Sequence, residues 1–147
     1  MTSSDLLRDQ AIDRFWETIP PLWNLVRSHI RATATGNFDI TVEQFHVLRH
    51  VRRGVTSMSD LAVAKNISRP AISQTVDTLV RKGLLTRVQS MQDRRVVELA
   101  LTGEGIALLD AVFEATREWM KERMSGMSAE ELETIAKAMT MMRKMLE

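Results

Sequence analysis

The sequence contains no cysteine, which removes disulfides, thiolate metal sites and cysteine redox sensing together. No apolar run approaches the ~20 residues of a membrane-spanning helix, and the N-terminal stretch MTSSDLLRDQ is acidic and polar rather than signal-like. A cytoplasmic protein is the expectation. There is also no glycine-rich phosphate loop, no nucleophile motif and no HExxH, and the acidic residues fall on predicted helix surfaces rather than in converging loops. Neither an enzyme nor a cofactor is expected. Histidine is scarce, with only His29, His46 and His50. His46 and His50 lie four apart on one predicted helix, a metal-compatible spacing, but Glu43 or another acid would have to complete the set, so no metal site is expected.

What is present is one domain's worth of chain, 147 residues with 44% hydrophobic content, long enough to bury a core. The net charge of +1 hides a strong division. Residues 49–95 carry ten basic side chains against Asp60, Asp77 and Asp93, or +7, and the rest of the chain is −6. A basic middle in an acidic frame is the electrostatic footprint of a phosphate-binding surface. A solvated charged face is the plainer reading, and the position of the basic residues decides between them.

In chain order, residues 4–17 are helical by pattern, with Leu7, Ala11 and Phe15 on one face and Ser3 or Ser4 as N-cap. Pro20 and Pro21 remove two donors and predict a kink or short break. Helical spacing resumes with Leu22, Val26 and Ile30 and ends at Gly36 and Asn37. Thr41 and Gln44 form a capping box for the next helix, which points Phe45, Leu48 and Val51 inward and leaves Arg49, Arg52 and Arg53 to solvent. A turn at 54–57 follows, with Ser59 as N-cap of a short helix bearing Leu61, Ala62 and Ala64. Thr102 caps a long helix with Ile106, Leu109, Phe113 and Met120 at core spacing. Ser128 and Glu131 box the last one, which carries Leu132, Ile135, Met139, Met142 and Leu146. Apolar terminal helices of that length need a partner, and a second copy of the chain supplies one.

The stretch 58–101 organises the rest. A turn at 66–68 separates two short helices, a spacing of helix-turn-helix length. Ser68 is a good N-cap for the second helix, and Pro70 lies in its first turn, where a missing donor costs little. Ile72, Val76, Leu79 and Val80 form its apolar stripe, Arg69, Pro70, Ser73, Gln74, Asp77 and Arg81 its polar face, and Gly83 its end. The period then changes to two. Leu85, Arg87 and Gln89, and later Val97, Leu99 and Leu101, mark a β-hairpin with one buried face, its polar connection at roughly 90–94 with Asp93, Arg94 and Arg95 at the tip.

NISRPAISQTVDTLVRKGLL followed by DRRVVELALTGEG resembles the winged helix-turn-helix of the MarR (multiple antibiotic resistance regulator) family. The likeness is strongest at Asp93 and Arg95 of the wing and at Leu101, Thr102 and Gly105, and it extends to TVEQFHVLRHV at 41–51. The expected fold is mostly α with a small β-hairpin wing, in one domain over 1–147. Its DNA-binding lobe is placed at 41–101, flanked by dimerisation helices at 1–36 and 103–147. The resemblance implies a homodimer on double-stranded DNA with a pseudo-palindromic site, commonly a repressor released by a small, often aromatic ligand.

On that reading the helix start at Ser68 and Arg69 offers backbone donors to phosphate, and Pro70, Ser73 and Gln74 face base edges. Arg95 matches the family's wing arginine and is expected in the minor groove, supported by Asp93, with Arg94 on a neighbouring phosphate. The residues available to line an effector crevice are Trp16, Trp23, Val26, His29, His46, Arg49 and Phe113. The methionines clustered at 139–145 suit a pliable pocket, oxidation or plain interface packing. A metal-responsive winged-helix repressor and a protein-binding adaptor that uses the fold without DNA stay open as alternatives.

Overall fold

Local capping chemistry sets most of the helix starts. In a computed structural model, which describes residues 2–147, helices α1 (Ser3–Asn37), α2 (Val42–Arg52), α3 (Met58–Lys65) and α4 (Arg69–Arg81) precede strands β1 (Leu85–Gln89) and β2 (Val97–Leu101). Helices α5 (Gly103–Arg123) and α6 (Ala129–Met142) follow, then a 3₁₀ turn, Arg143–Leu146. Thr41 and Gln44 box the start of α2, Ser68 caps α4, and Ser128 and Glu131 box α6, all as expected. Two caps fall elsewhere. Thr2, not Ser3 or Ser4, boxes α1 with Asp5, and Ser57, not Ser59, accepts from the Asp60 amide to start α3. In both cases the chosen hydroxyl has an aspartate three residues on, which favours the helix N-terminus electrostatically.

The prolines do not break α1, which is helical for 35 residues through Pro20 and Pro21. Proline's fixed φ is itself helical; what is lost is the amide donor to the carbonyl one turn back. Those carbonyls belong to Trp16 and Glu17, both exposed, where water can take the place of the missing donors.

The chain divides into two compact units, one ending at Thr116 and one running from Arg117 to Glu147. The core lies in the first. Ile30 and Ala34 of α1, Phe45, Val47, Leu48 and Val51 of α2, Leu61 of α3, Ile72, Val76 and Leu79 of α4 and Leu109 and Val112 of α5 are all buried. Leu84, Leu85 and Leu99 close it beneath the hairpin. Burial of each large side chain contributes about 1.5–3 kcal/mol, so this cluster fixes the angles at which three short helices meet. In the second unit, the end of α5 and the whole of α6 leave no side chain buried.

α5 buries Gly105, Leu109, Val112 and Thr116, rather than the stripe through Ile106, Phe113 and Met120, which stays between 37% and 44% exposed. The helix carries two apolar stripes a small rotation apart, and the one bearing a glycine lets it approach closest. A Cβ on Gly105 would stand 2.2 Å from the Leu84 carbonyl oxygen.

The strands pair antiparallel, Leu85 opposite Leu101 and Gln89 opposite Val97. Only Leu85 and Leu99 are buried, so the one buried face exists at the hairpin's base and the outer half runs into solvent. The connection spans 90–96, two residues longer than expected. β2 is also anchored to the loop after α2, the Leu99 amide donating to the Thr56 carbonyl at 2.8 Å. No described helix is long and apolar enough to cross a membrane.

Candidate nucleic-acid interface

The turn between α3 and α4 needs a left-handed residue, and Asn66 takes it at φ 51°, a conformation that asparagine tolerates better than most side chains. The chain then reaches Ser68, whose Oγ accepts from the Ala71 amide at 3.3 Å. Ser68, Arg69, Pro70 and Gln74 are exposed and Ser73 half-buried, on the face opposite Ile72, Val76 and Leu79. Arg69, Pro70 and Ser73, with Met58, Arg87, Val97 and Leu99, line a hollow of about 440 Å³ between the start of α4 and the hairpin.

The wing is held at two levels. At its base an Arg87–Asp77 ion pair joins β1 to α4. At its tip Ser90 Oγ accepts from the Gln92 and Asp93 amides, Gln89 Nε2 donates to the Arg94 carbonyl at 2.6 Å, and the Val96 amide donates to the Asp93 carbonyl. Asp93 Oδ1 accepts from both the Arg95 amide, at 3.0 Å, and Arg95 Nε, at 3.3 Å. Asp93 therefore contacts Arg95 as anticipated, while the Arg95 side chain stays 91% exposed. The anchoring role of Arg87 was not anticipated. Its only trace in the sequence is that Arg87 alternates with Leu85 on the same side of β1 while Asp77 lies on the polar face of α4.

The candidate effector residues separate. His46, Arg49 and Phe113 come together around Phe45. The Arg49 guanidinium lies 5.7 Å from the ring centres of both Phe45 and Phe113, and Phe45 contacts the His46 ring. Arg49 is thus stacked and half-buried, not left to solvent as its helix position suggested. Burial and the neighbouring Arg53 and Arg27 lower its pKa. Arg52 reaches across to Asp110 of α5 at 2.7 Å and over Phe113. On α1, Val26 packs against the core and His29 Nε2 lies 3.2 Å from Thr33 Oγ1, whereas Trp16 and Trp23 are 66% and 48% exposed.

Lys65 contacts both Glu43 and His46. Its Nζ is 3.0 Å from His46 Nδ1 and 3.5 Å from Glu43 Oε2. Burial, then the Lys65 ammonium, holds His46 below its ordinary 6.5, and the same two causes lower His50.

A three-helix core carrying an exposed helix start and an arginine-tipped hairpin defines a winged helix-turn-helix protein. The family profile described as MarR family matches residues 38–96, from the approach to α2 to the far side of the wing. Over that stretch, two-fifths of its length, the chain is similar to the MarR family. Among curated relatives, it is 34% identical over 74 residues to the uncharacterized HTH-type transcriptional regulator YhbI of Bacillus subtilis, covering 50% of this chain and 48% of the relative. It is 29% identical over 94 residues to the HTH-type transcriptional repressor MdtR of the same organism, covering 63% and 61%. The match thus spans half to three-fifths of the length of those relatives. Among solved structures, a mutant of S. aureus MepR bound to an oligodeoxyribonucleotide is similar with a TM-score of 0.65 at 26% identity, over 100% of this chain and 99% of that one.

Proposed function

We propose that this chain is a DNA-binding transcriptional regulator that acts as a homodimer on a pseudo-palindromic site. The observation that carries the reading is the pairing of an exposed, capped α4 start with a wing whose arginine is braced yet solvent-facing. Ser68 and Arg69 would hold phosphate, and Pro70, Ser73 and Gln74 would read major-groove edges, Gln74 suiting adenine and Pro70 a thymine methyl. Arg95 would enter the minor groove with Arg94 on its wall. The lobe at 41–101 would carry DNA. The helices at 1–36 and 103–147 would dimerise, a reading supported by the exposed Leu6, Leu7, Ile12 and Trp16 on α1 and Leu132, Met139 and Leu146 near the C-terminus. A repressor's role is supported by the likeness to the transcriptional repressor MdtR.

The finer reading is release by a small aromatic anion. Its support is Arg49, a cation held against the rings of Phe45 and Phe113 beside the half-buried His46.

Mobility shifts on the DNA upstream of the chain's own coding sequence, at two salt concentrations and beside random DNA, test both. Selective binding that weakens steeply with salt is expected, since each neutralised phosphate adds about −0.9 to the log–log slope on duplex DNA. An aromatic carboxylate should release the shifted band. Arg95→Ala should weaken binding by about tenfold or more at unchanged fold; unchanged affinity would reject the wing assignment. Salt-insensitive binding, or none to either DNA at low salt, would favour the adaptor.

A further inference from the structure

The wing tip is constructed around a side chain that the DNA reading leaves without a role. In the connection 90–96, Ser90, Gln92, Asp93, Arg94, Arg95 and Val96 all take part in hydrogen bonds that close the tip. Among the described residues Met91 alone of this stretch takes no part in them. Its side chain is as exposed as in an extended chain, 101%. An isolated exposed apolar residue on a floppy loop would need no explanation. Here six residues hold the loop in shape and one unbranched thioether projects from the same connection that carries Arg94 and Arg95.

We propose that Met91 is a specificity determinant of the wing, inserting into the minor groove beside Arg95 and selecting A·T pairs there. The inference rests on the DNA-binding reading above. Charge complementarity identifies the occupant, because two arginines on one tip bring it against phosphate-lined walls. A narrow, unbranched, polarisable side chain fits a groove about 6 Å wide, and methionine is among the apolar side chains that wedge at base steps from this side. A·T pairs place only acceptors on the groove floor, whereas a G·C pair adds the guanine amino group. Covering that donor with a thioether methyl removes its water and leaves it without a good partner, so G·C pairs under the tip are disfavoured.

The test uses the full chain and a duplex that the wild-type protein itself selects from a random-sequence library. The selected sites should show A·T preference at their outer positions. Met91→Ala should lose about five- to tenfold in affinity on that duplex, with no loss when the outer pairs are changed to G·C. Met91→Leu, apolar but branched, should retain only part of the preference. The salt slope should be the same for all three proteins, whereas Arg94→Ala should flatten it by about one phosphate's share. Met91 touches nothing that folds the chain, so thermal melts serve as a control and should coincide. If wild type selects sites and Met91→Ala binds them equally, or loses equally on both flanks, the inference is overturned while the DNA reading stands. If wild type selects no sequence, both are overturned.

Discussion

The surroundings of His46 disfavour its protonation. Burial is the largest cause; its Nδ1 faces the Lys65 ammonium, Glu43 works in the opposite direction, and Arg49 and Arg31 add positive charge. His50 is depressed by burial and the same lysine. A histidine whose folded pKa lies below its unfolded value binds fewer protons folded than unfolded, so stability rises with pH across that window. Denaturation midpoints should therefore be insensitive to these two groups above pH about 6.5 and fall as pH drops below it. Lys65→Met should raise the His46 pKa partway, burial remaining as the larger cause, and an NMR titration reads it directly. A His46 pKa unmoved by that substitution would remove Lys65 from the account. Little of this was legible in sequence, since Glu43, His46 and Lys65 belong to two helices whose crossing only the core decides. The caps tell the complementary story. Thr41, Ser68 and Ser128 could be read because cap and first turn are neighbours in the chain. Where several hydroxyls competed, as at Thr2, Ser3 and Ser4, the aspartate three residues on chose among them.

The elements were legible wherever one apolar stripe stood alone. α4 has one, through Ile72, Val76 and Leu79, and it is the stripe that is buried. α5 has two, and periodicity does not say which faces its own chain and which is left outward. The glycine does. Gly105 permits α5 to pass against the Leu84 carbonyl, and Thr102 fastens the same corner, its Oγ1 donating to the Gly83 carbonyl at 2.6 Å and accepting from the Gly105 amide at 3.0 Å. Gly83 itself turns there at φ 74°. Gly105→Ala should cost about 1–3 kcal/mol by overpacking, because the contacted atom is backbone and cannot swing aside. Urea denaturation measures the loss, and a stability change within error would mean that the corner relaxes freely. The wing lay within reach of sequence as a hairpin with arginines at its tip. Its tie to α4 through Arg87 and Asp77 emerged only once the inward register of β1 was set against a specific helix face.

At the scale of the molecule, the core accounts for one unit and leaves apolar side chains uncovered elsewhere. Leu7 and Trp16 on α1 are each about two-thirds exposed, and Met141, Met145 and Leu146 near the C-terminus more than half. Sequence reading reached these side chains as those of unpartnered terminal helices, and in each unit they are exposed. In the proposed homodimer a hundredfold rise in protein concentration adds about 2.7 kcal/mol per dimer, so Tm should climb by a few degrees over that range. A Tm independent of concentration, with a monomer's mass in solution, would reject the dimer.

The long α1, with its outward apolar side chains, bears finally on how many molecules a cell must hold. If two chains must meet before either can occupy a site, then at low abundance the number of competent regulators grows as the square of the number of chains. A twofold change in synthesis would become a fourfold change in occupancy, so the uncovered face of a single helix would set a threshold in gene dosage.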